Sequence, residues 1–363
     1  MRVLHIIARF NVGGTATWIS NLSQSLDQAG HKSFVMSGYV QEGEEEDSKF
    51  KSIGGVHVPN LGRRIALVGD IKALFEIRAQ IKQINPDVIN THTAKAGVLG
   101  RLAAVSLGRN RPALVHTIHG HLFRGYFGKL TVTLISLVES WLSRFTEVML
   151  FAGQRVKKDC LERGIKHQLE TRIVMPGLSV LAPELKSKNT VTVGWLARFA
   201  QVKQPYRVLE LAAKFPEVNF LLGGDGPLRN ELAKRATPNC AFIGWITSPE
   251  KFWAQCDIAL LTSDNEALPI SLIEAQMCSL PCVTTPAGSA SEVVIDGVNG
   301  FVSREFSSES LSEPLLKLID DSSLRYRLGS QGRIRASEIF SLKRQLSDHM
   351  EAYQLAIELR ARR

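Results

Sequence analysis

At 363 residues the chain is too long for one ordinary hydrophobic core and suits two domains of similar size. A hydrophobic content of 44% with 22% charged residues excludes a disordered or fibrous chain, and no run approaches the roughly 18 apolar residues that span a bilayer. The net charge of +9 belongs wholly to the first half: residues 1–172 hold 23 Lys and Arg against 14 Asp and Glu, whereas residues 173–363 hold 21 of each. Such a surplus fits an anionic partner (a membrane surface, a pyrophosphate-linked acceptor or nucleic acid) or serves solubility alone.

Met1–Ile7 is too short an apolar run for a signal peptide and reads as a first strand, which places the protein in the cytoplasm. That strand is expected at 3–8 and others at 31–37, 56–58, 88–91, 113–118 and 148–152, with helices at 16–29, 69–84 and 94–107 between them. The alternation predicts a parallel sheet covered on both faces. After a Pro- and Gly-containing stretch a second series follows: strands at 190–196, 219–223, 240–242, 258–261 and 281–284, and helices at 205–215, 227–235 and 269–277. A long helix is expected over 342–359. The domains are therefore placed at 1–174 and 190–340, with a linker at 175–189 and a tail at 341–363 that crosses back to the first domain. The fold class is α/β, two Rossmann-like doubly wound parallel-sheet domains. Ligands are expected in a cleft at the carboxyl ends of both sheets. The acidic run 42–47 reads as an exposed loop. Cys160, Cys240, Cys256, Cys278 and Cys282 read as reduced core thiols, because no second pair at metal-ligand spacing accompanies Cys278 and Cys282.

The most specific motif is Glu266-Ala267-Leu268-Pro269-Ile270-Ser271-Leu272-Ile273-Glu274, after a strand and a polar loop. Pro269 suits a first helical turn, so Leu268, Pro269 and Ile270 stand at a helix N-terminus, which favours a phosphate. Carboxylates accept charge-assisted hydrogen bonds from sugar hydroxyls. Glu266 is thus assigned to a transferred sugar, together with Ala267, Leu268 and Pro269, and Glu274 to a ribose; the bland alternative is a solvated loop and helix face. Arg198 and Lys203 follow the first strand of the second domain, where cations stabilise a departing diphosphate. Gly223-Gly224-Asp225-Gly226-Pro227 makes a tight turn that is structural by itself, with Gly224 and Ile246 as candidates beside a base. In the first domain Gly13 and Gly14 bring backbone amides near phosphate or acceptor. His119 ends a strand beside Gly120, and Thr93 and Lys95 suit acceptor recognition.

These pieces, in this order, resemble the family 4 glycosyltransferases of the GT-B fold, in their bacterial polysaccharide-assembly branch. The resemblance runs through Gly13-Gly14, "NTHTAKAGVLGRLAA" at 90–104, "HTIHGHLFRGYF" at 116–127, "GWLARFAQVKQP" from Gly194, the Gly-rich turn and the paired glutamates. It implies that Arg198 and Lys203, with Gly14, Leu268 and Ile270, bind the donor diphosphate, Glu274 the ribose and Glu266 the donor sugar, with His119 beside the reacting sugar. The acceptor would meet Gly13, Thr93, Lys95, Arg124 and Tyr126. Two departures stand out: Ala267 replaces the family's usual Gly, and Phe151-Ala152-Gly153 replaces a serine-containing turn. The resemblance also implies retention of anomeric configuration and UDP as the nucleotide. With no nucleophile and no Asp-x-Asp motif, front-face displacement without metal or cofactor is expected.

The segment 121–145 mixes apolar, aromatic and basic residues, and positions 130, 134, 138, 141 and 145 share one helix face. Such a stripe is core, or docks on an anionic inner leaflet. The acceptor is then a saccharide on a polyprenyl pyrophosphate. A nucleotide-sugar 2-epimerase, a silent GT-B subunit and a nucleic-acid-binding protein are the alternatives. No aromatic-basic motif supports the last, and no nucleic acid is expected as a partner.

Overall fold

Strands buried on both faces read as nearly continuous apolar runs, and those of the first half assemble accordingly. The computed structural model describes all residues except 42–43, 63–65, 121–128, 164, 166–169 and 180–189, and only the backbone of 129–132. Its first sheet contains β1 (Arg2–Ile7), β2 (Lys32–Ser37), β3 (Val56–His57), β4 (Val88–His92), β5 (Ala113–Ile118), β6 (Val148–Phe151) and β7 (Glu170–Ile173). They lie in the order β3-β2-β1-β4-β5-β6-β7, with every neighbouring pair parallel. Leu4, Ile6, Ile89 and Leu114 are fully buried in one core with Ala73, Ile77, Ala96 and Ala103 from the covering helices.

The second sheet contains β8 (Thr192–Leu196), β9 (Asn219–Gly223), β10 (Cys240–Gly244), β11 (Ile258–Leu261), β12 (Cys282–Thr284) and β13 (Gly300–Val302). Their order is β10-β9-β8-β11-β12-β13, again all parallel. Trp195, Phe199, Phe220, Leu260 and Leu315 centre its core.

The chain divides into two compact units, Met1–Leu178 with Leu342–Arg363, and Ser179–Ser341. The terminal helix Leu342–Ala361 thus belongs to the first unit. There Asn90 Nδ2 donates to Tyr353 Oη at 2.9 Å and Gln345 Nε2 to the Trp18 carbonyl at 3.1 Å. In each sheet the strand order reverses once, between β1 and β4 and between β8 and β11. Loops diverge at such a switch point and leave a crevice at the carboxyl ends of the strands.

Two expectations are corrected here. The acidic run is partly a tether rather than a free loop: Asp47 is buried, Glu44 pairs with Arg9 at 2.9 Å, and Val12 N–H donates to the Glu45 carbonyl. The apolar stripe divides: on the helix Lys129–Leu142, Leu134 and Trp141 are exposed beside Leu137 while Val138 is partly buried, as is Phe145 in the 3-10 turn that follows. The side chain of Leu130 lies outside the described residues. Among the described residues, no helix is long and apolar enough to cross a membrane.

Candidate active site

In the second unit the loops leaving β8 and β11 flank the switch point, and hydrogen bonds lace them together. Thr262 Oγ1 accepts from Trp195 Nε1 at 3.0 Å and donates to the Lys203 carbonyl at 2.9 Å; Asp264 N–H donates to the Val202 carbonyl. Arg207 Nη1 reaches both the Thr262 carbonyl and Asp264 Oδ1 at 2.7 Å. Two cation-bearing and carboxylate-bearing loops are thereby held in register.

Their centre is a pair that the sequence reading assigned to separate roles. Lys203 Nζ lies 2.6 Å from Glu266 Oε1, and Ser263 Oγ donates to the same oxygen at 2.6 Å. Glu266 is only 7% exposed, so its charge depends on these partners. Both side-chain bonds of Glu266 go to Oε1, and Oε2 has no partner among the described residues. Arg198, two residues beyond β8, is exposed and its guanidinium has no ion pair or hydrogen bond among the described residues.

Pro269 is not the first helical residue: its backbone is extended and it caps the helix Ile270–Met277, with its carbonyl accepting from Leu272 and Ile273 N–H. Leu268 and Pro269 are buried, Ala267 and Ile270 partly so. Glu274 follows one turn after Ile270, partly buried on that helix. Gly224 has a clear structural reason to be glycine. Its φ is 120°, its N–H donates to the Gly244 carbonyl at 2.7 Å, and a Cβ would stand 2.1 Å from the Ala197 carbonyl oxygen. The turn is thus pressed against the loop carrying Arg198, while Ile246 covers Gly223.

In the first unit the carboxyl ends of β1, β4 and β5 gather a second set. Gly13, exposed with φ 155°, caps the helix Gly14–Gln28, and a Cβ there would meet nothing within 4 Å; backbone conformation, not crowding, selects glycine. Thr93 caps the helix Ala94–Val105 at φ 65° and ψ 158°, a region almost reserved for glycine, and its Oγ1 accepts from Ala8 N–H at 3.3 Å. A strained β-branched residue at a switch point is a mark of a functional loop. Lys95, expected at the acceptor, pairs with Asp70 at 2.5 Å. Arg124 and Tyr126 lie outside the described residues.

His119 is partly buried just beyond β5 and belongs to a histidine cluster that sequence reading missed. Its Nε2 lies 2.8 Å from His92 Nδ1, and Trp18 meets its ring edge-on at 4.9 Å between centroids. Burial first, and neighbouring histidines second, hold His119 down to about 3 and His92 well below 6.5, so both rings are neutral at ordinary pH. The cysteines are all free. Burial pushes Cys160, Cys278 and Cys282 up to about 12, which removes them as nucleophiles.

Two parallel-sheet Rossmann-like domains of this topology define the GT-B fold. The chain superposes on Anabaena HepE in complex with UDP-glucose with a TM-score of 0.80 at 20% identity, covering 99% of this chain and all of that one. It superposes on sucrose-phosphate synthase from Thermosynechococcus elongatus with a TM-score of 0.82 at 16% identity, over the whole of both chains. Residues 12–174 match the family model Glycosyltransferase Family 4, and residues 181–335 match Glycosyl transferases group 1. The chain belongs to the family 4 glycosyltransferases. It is 26% identical to the Escherichia coli UDP-Gal:alpha-D-GlcNAc-diphosphoundecaprenol alpha-1,3-galactosyltransferase, over 74% of this chain and 76% of that enzyme. It is equally identical to the E. coli O-antigen biosynthesis glycosyltransferase WbnH, over 93% and 95%.

Proposed function

We propose that this glycosyltransferase moves a hexose or N-acetylhexosamine, with retention, from a UDP-sugar to a polyprenyl-pyrophosphate-linked saccharide during surface polysaccharide biosynthesis. The observation that carries the reading is the Lys203–Glu266 pair at the switch point of the second sheet, with Arg198 unpaired on the same loop as Lys203. A UDP-sugar and a diphosphoundecaprenol acceptor are those of the E. coli relative, and HepE binds UDP-glucose. The second unit takes the donor and the first unit the acceptor.

Donor binding exchanges the partners of the pair. Lys203 turns to the diphosphate, joined by Arg198 and by the amides of Leu268 and Ile270. Glu266 then accepts from sugar hydroxyls. Both cations gain most as the glycosidic bond lengthens and charge builds on the leaving phosphate. That phosphate oxygen takes the acceptor's proton on the same face, and Glu266 orients the sugar without attacking it. Glu274 holds the ribose. Gly224 and Ile246 flank the base, and Ala267 narrows the sugar pocket by one methyl group. No metal or cofactor takes part.

Calorimetry with UDP, GDP, ADP and their sugar conjugates in EDTA tests this reading. Saturable binding of the UDP ligands, lost in Glu274→Ala, is the expected result. Binding that requires a divalent cation, or no binding of any nucleotide, overturns it.

The acceptor's lipid places the enzyme peripherally on the cytoplasmic face of the inner membrane. Exposed apolar side chains support this: Leu134, Leu137 and Trp141 on one helix, and Leu67, Val68, Ile71 and Phe75 along one face of the helix Leu67–Ile84. Patches of this kind mark interaction surfaces, and the first half's cationic surplus suits an anionic leaflet. Co-sedimentation with anionic phospholipid vesicles should fall with added salt and fall further in Trp141→Glu. Retention that ignores salt, or equal retention on neutral vesicles, argues against the assignment.

A further inference from the structure

Parallel pairing brings three histidines of the first unit into line. His5 on β1 pairs in register with Asn90 on β4, His92 ends β4, and His119 follows β5. His5 Nδ1 lies 3.1 Å from His92 Nε2, and His92 Nδ1 lies 2.8 Å from His119 Nε2. The rings follow one another at 5.3 and 5.0 Å between centroids, with interplanar angles of 27° and 34°. Trp18 closes the chain edge-on against His119. The two terminal nitrogens, His5 Nε2 and His119 Nδ1, are buried and unpartnered among the described residues.

A neutral imidazole carries one N–H, so one tautomer determines the next along such a chain. If His5 Nδ1–H donates, His92 must donate from Nδ1, and His119 must carry its own proton on Nδ1. Either order leaves one buried N–H without an acceptor among the described residues, on His119 Nδ1 in the first and on His5 Nε2 in the reverse. His5 is fully buried inside β1, where no ligand reaches its N–H, whereas His119 is only partly buried beyond the carboxyl end of β5, where a bound hydroxyl can accept. The neighbouring His349 does not relieve His5: His349 Nδ1 donates to the Gln345 carbonyl at 2.7 Å, and its Nε2 makes no hydrogen bond among the described residues. His116, bonded through Nδ1 to Thr91 Oγ1 with its Nε2 facing Glu139, stands outside the chain.

We propose that His5 and His92 are positioning residues that fix His119 as the Nδ1–H tautomer, so that a neutral ring offers a hydrogen-bond donor to the bound sugar. This rests on the reading of His119 as a residue beside the reacting sugar. Burial supports it, because pushing His5 and His119 down to about 3 keeps the chain uncharged. The sequence hides the arrangement, since His5 lies inside a strand between Leu4 and Ile6 and reads as core, and nothing local links it to His92 at the end of β4.

Ring-nitrogen NMR on the full chain with 15N-labelled histidine tests the inference before any substrate is added. The wild type should show His119 with a protonated Nδ1 and a bare, hydrogen-bonded Nε2. That spectrum alone decides the tautomer, so the proposal does not depend on how a variant folds. In His92→Phe the His119 signals should collapse to a tautomer mixture, with kcat down roughly 10–100-fold, the range for partners that orient a functional ring, and donor KM unchanged. His92→Gln, whose amide can accept from His5 and donate to His119, should restore the Nδ1–H signal and much of the rate. A wild-type Nε2–H or mixed His119, or a His92→Phe spectrum unchanged from wild type, overturns the proposal. Full activity in His119→Ala would instead remove the reading beneath it, whatever the spectrum shows.

Discussion

Arg198→Ala is expected to lower kcat by about 10²–10³-fold, the range for removing one preorganised transition-state donor. The side chain is exposed and unpaired among the described residues, so its loss should change stability by no more than about 0.5 kcal/mol. That makes it the clean probe of diphosphate stabilisation. Lys203→Ala should cut the rate similarly but also destabilise the second unit, because Glu266 is left buried with only Ser263 as partner. The two substitutions thus separate: equal losses of rate, unequal losses of melting temperature. Steady-state kinetics with a saccharide acceptor and a thermal melt decide the matter. Wild-type rates in both variants would remove the phosphate assignment, and a large stability loss in Arg198→Ala would make that residue structural.

Arg101→Ala should destabilise the first unit by about 3–5 kcal/mol, the cost of leaving a buried charge without its partner. Arg101 and Glu139 are 0% and 1% exposed and meet at 2.6 Å, while Arg101 Nε donates to the Gly97 carbonyl at 2.7 Å. Burial is complete, so solvent does not screen the pair. At roughly 2–4 °C per kcal/mol for a unit of this size, melting should fall by about 10 °C. Replacing both partners with apolar residues of similar volume (Arg101→Met with Glu139→Leu) should recover most of the loss, because the pair's attraction largely offsets its own desolvation. A single variant that melts like the wild type would show the charge finding water or another partner. The pair matters for function through position. A Cβ on Gly97 would approach His116 Cε1 at 2.6 Å, so helix Ala94–Val105 lies tight against the strands that carry His92 and His119.

Strands β5, β9 and β11 are legible to the residue, since an apolar run between polar turns has few other solutions. Several boundaries move by one or two residues: the strand expected from Thr190 begins at Thr192, and the helix expected from Pro227 begins at Arg229. β7 and β13 escape notice for a local reason. Glu170–Ile173 is largely polar on an edge, and Gly300–Val302 is three residues long, so neither shows a period. Arg198, Lys203, Glu266 and Glu274 stand out as candidates in the sequence because each follows a strand end or lies in the first turns of a helix. Ser263 and His5 are missed: Ser263 stands in a polar loop between Thr262 and Asp264 and reads as a turn, and His5 stands between Leu4 and Ile6 and reads as core.

The sequence by itself determined the two-domain α/β class, the family, and the loops that carry the candidate site. The class and the loops are local properties (periodicity, turn chemistry and residue type at strand ends), and the family follows from the resemblance of the motifs in their order. Only the tertiary structure decided that Lys203 pairs with Glu266 across 63 residues, that Lys95 is held by Asp70, and that His5, His92 and His119 form one chain. It also decided which side of the apolar helix Lys129–Leu142 meets the core. The physical reason is the same in each case. Strand order and helix rotation follow from the packing of the whole sheet, and a hydrogen bond between distant residues exists only once that packing has placed both ends.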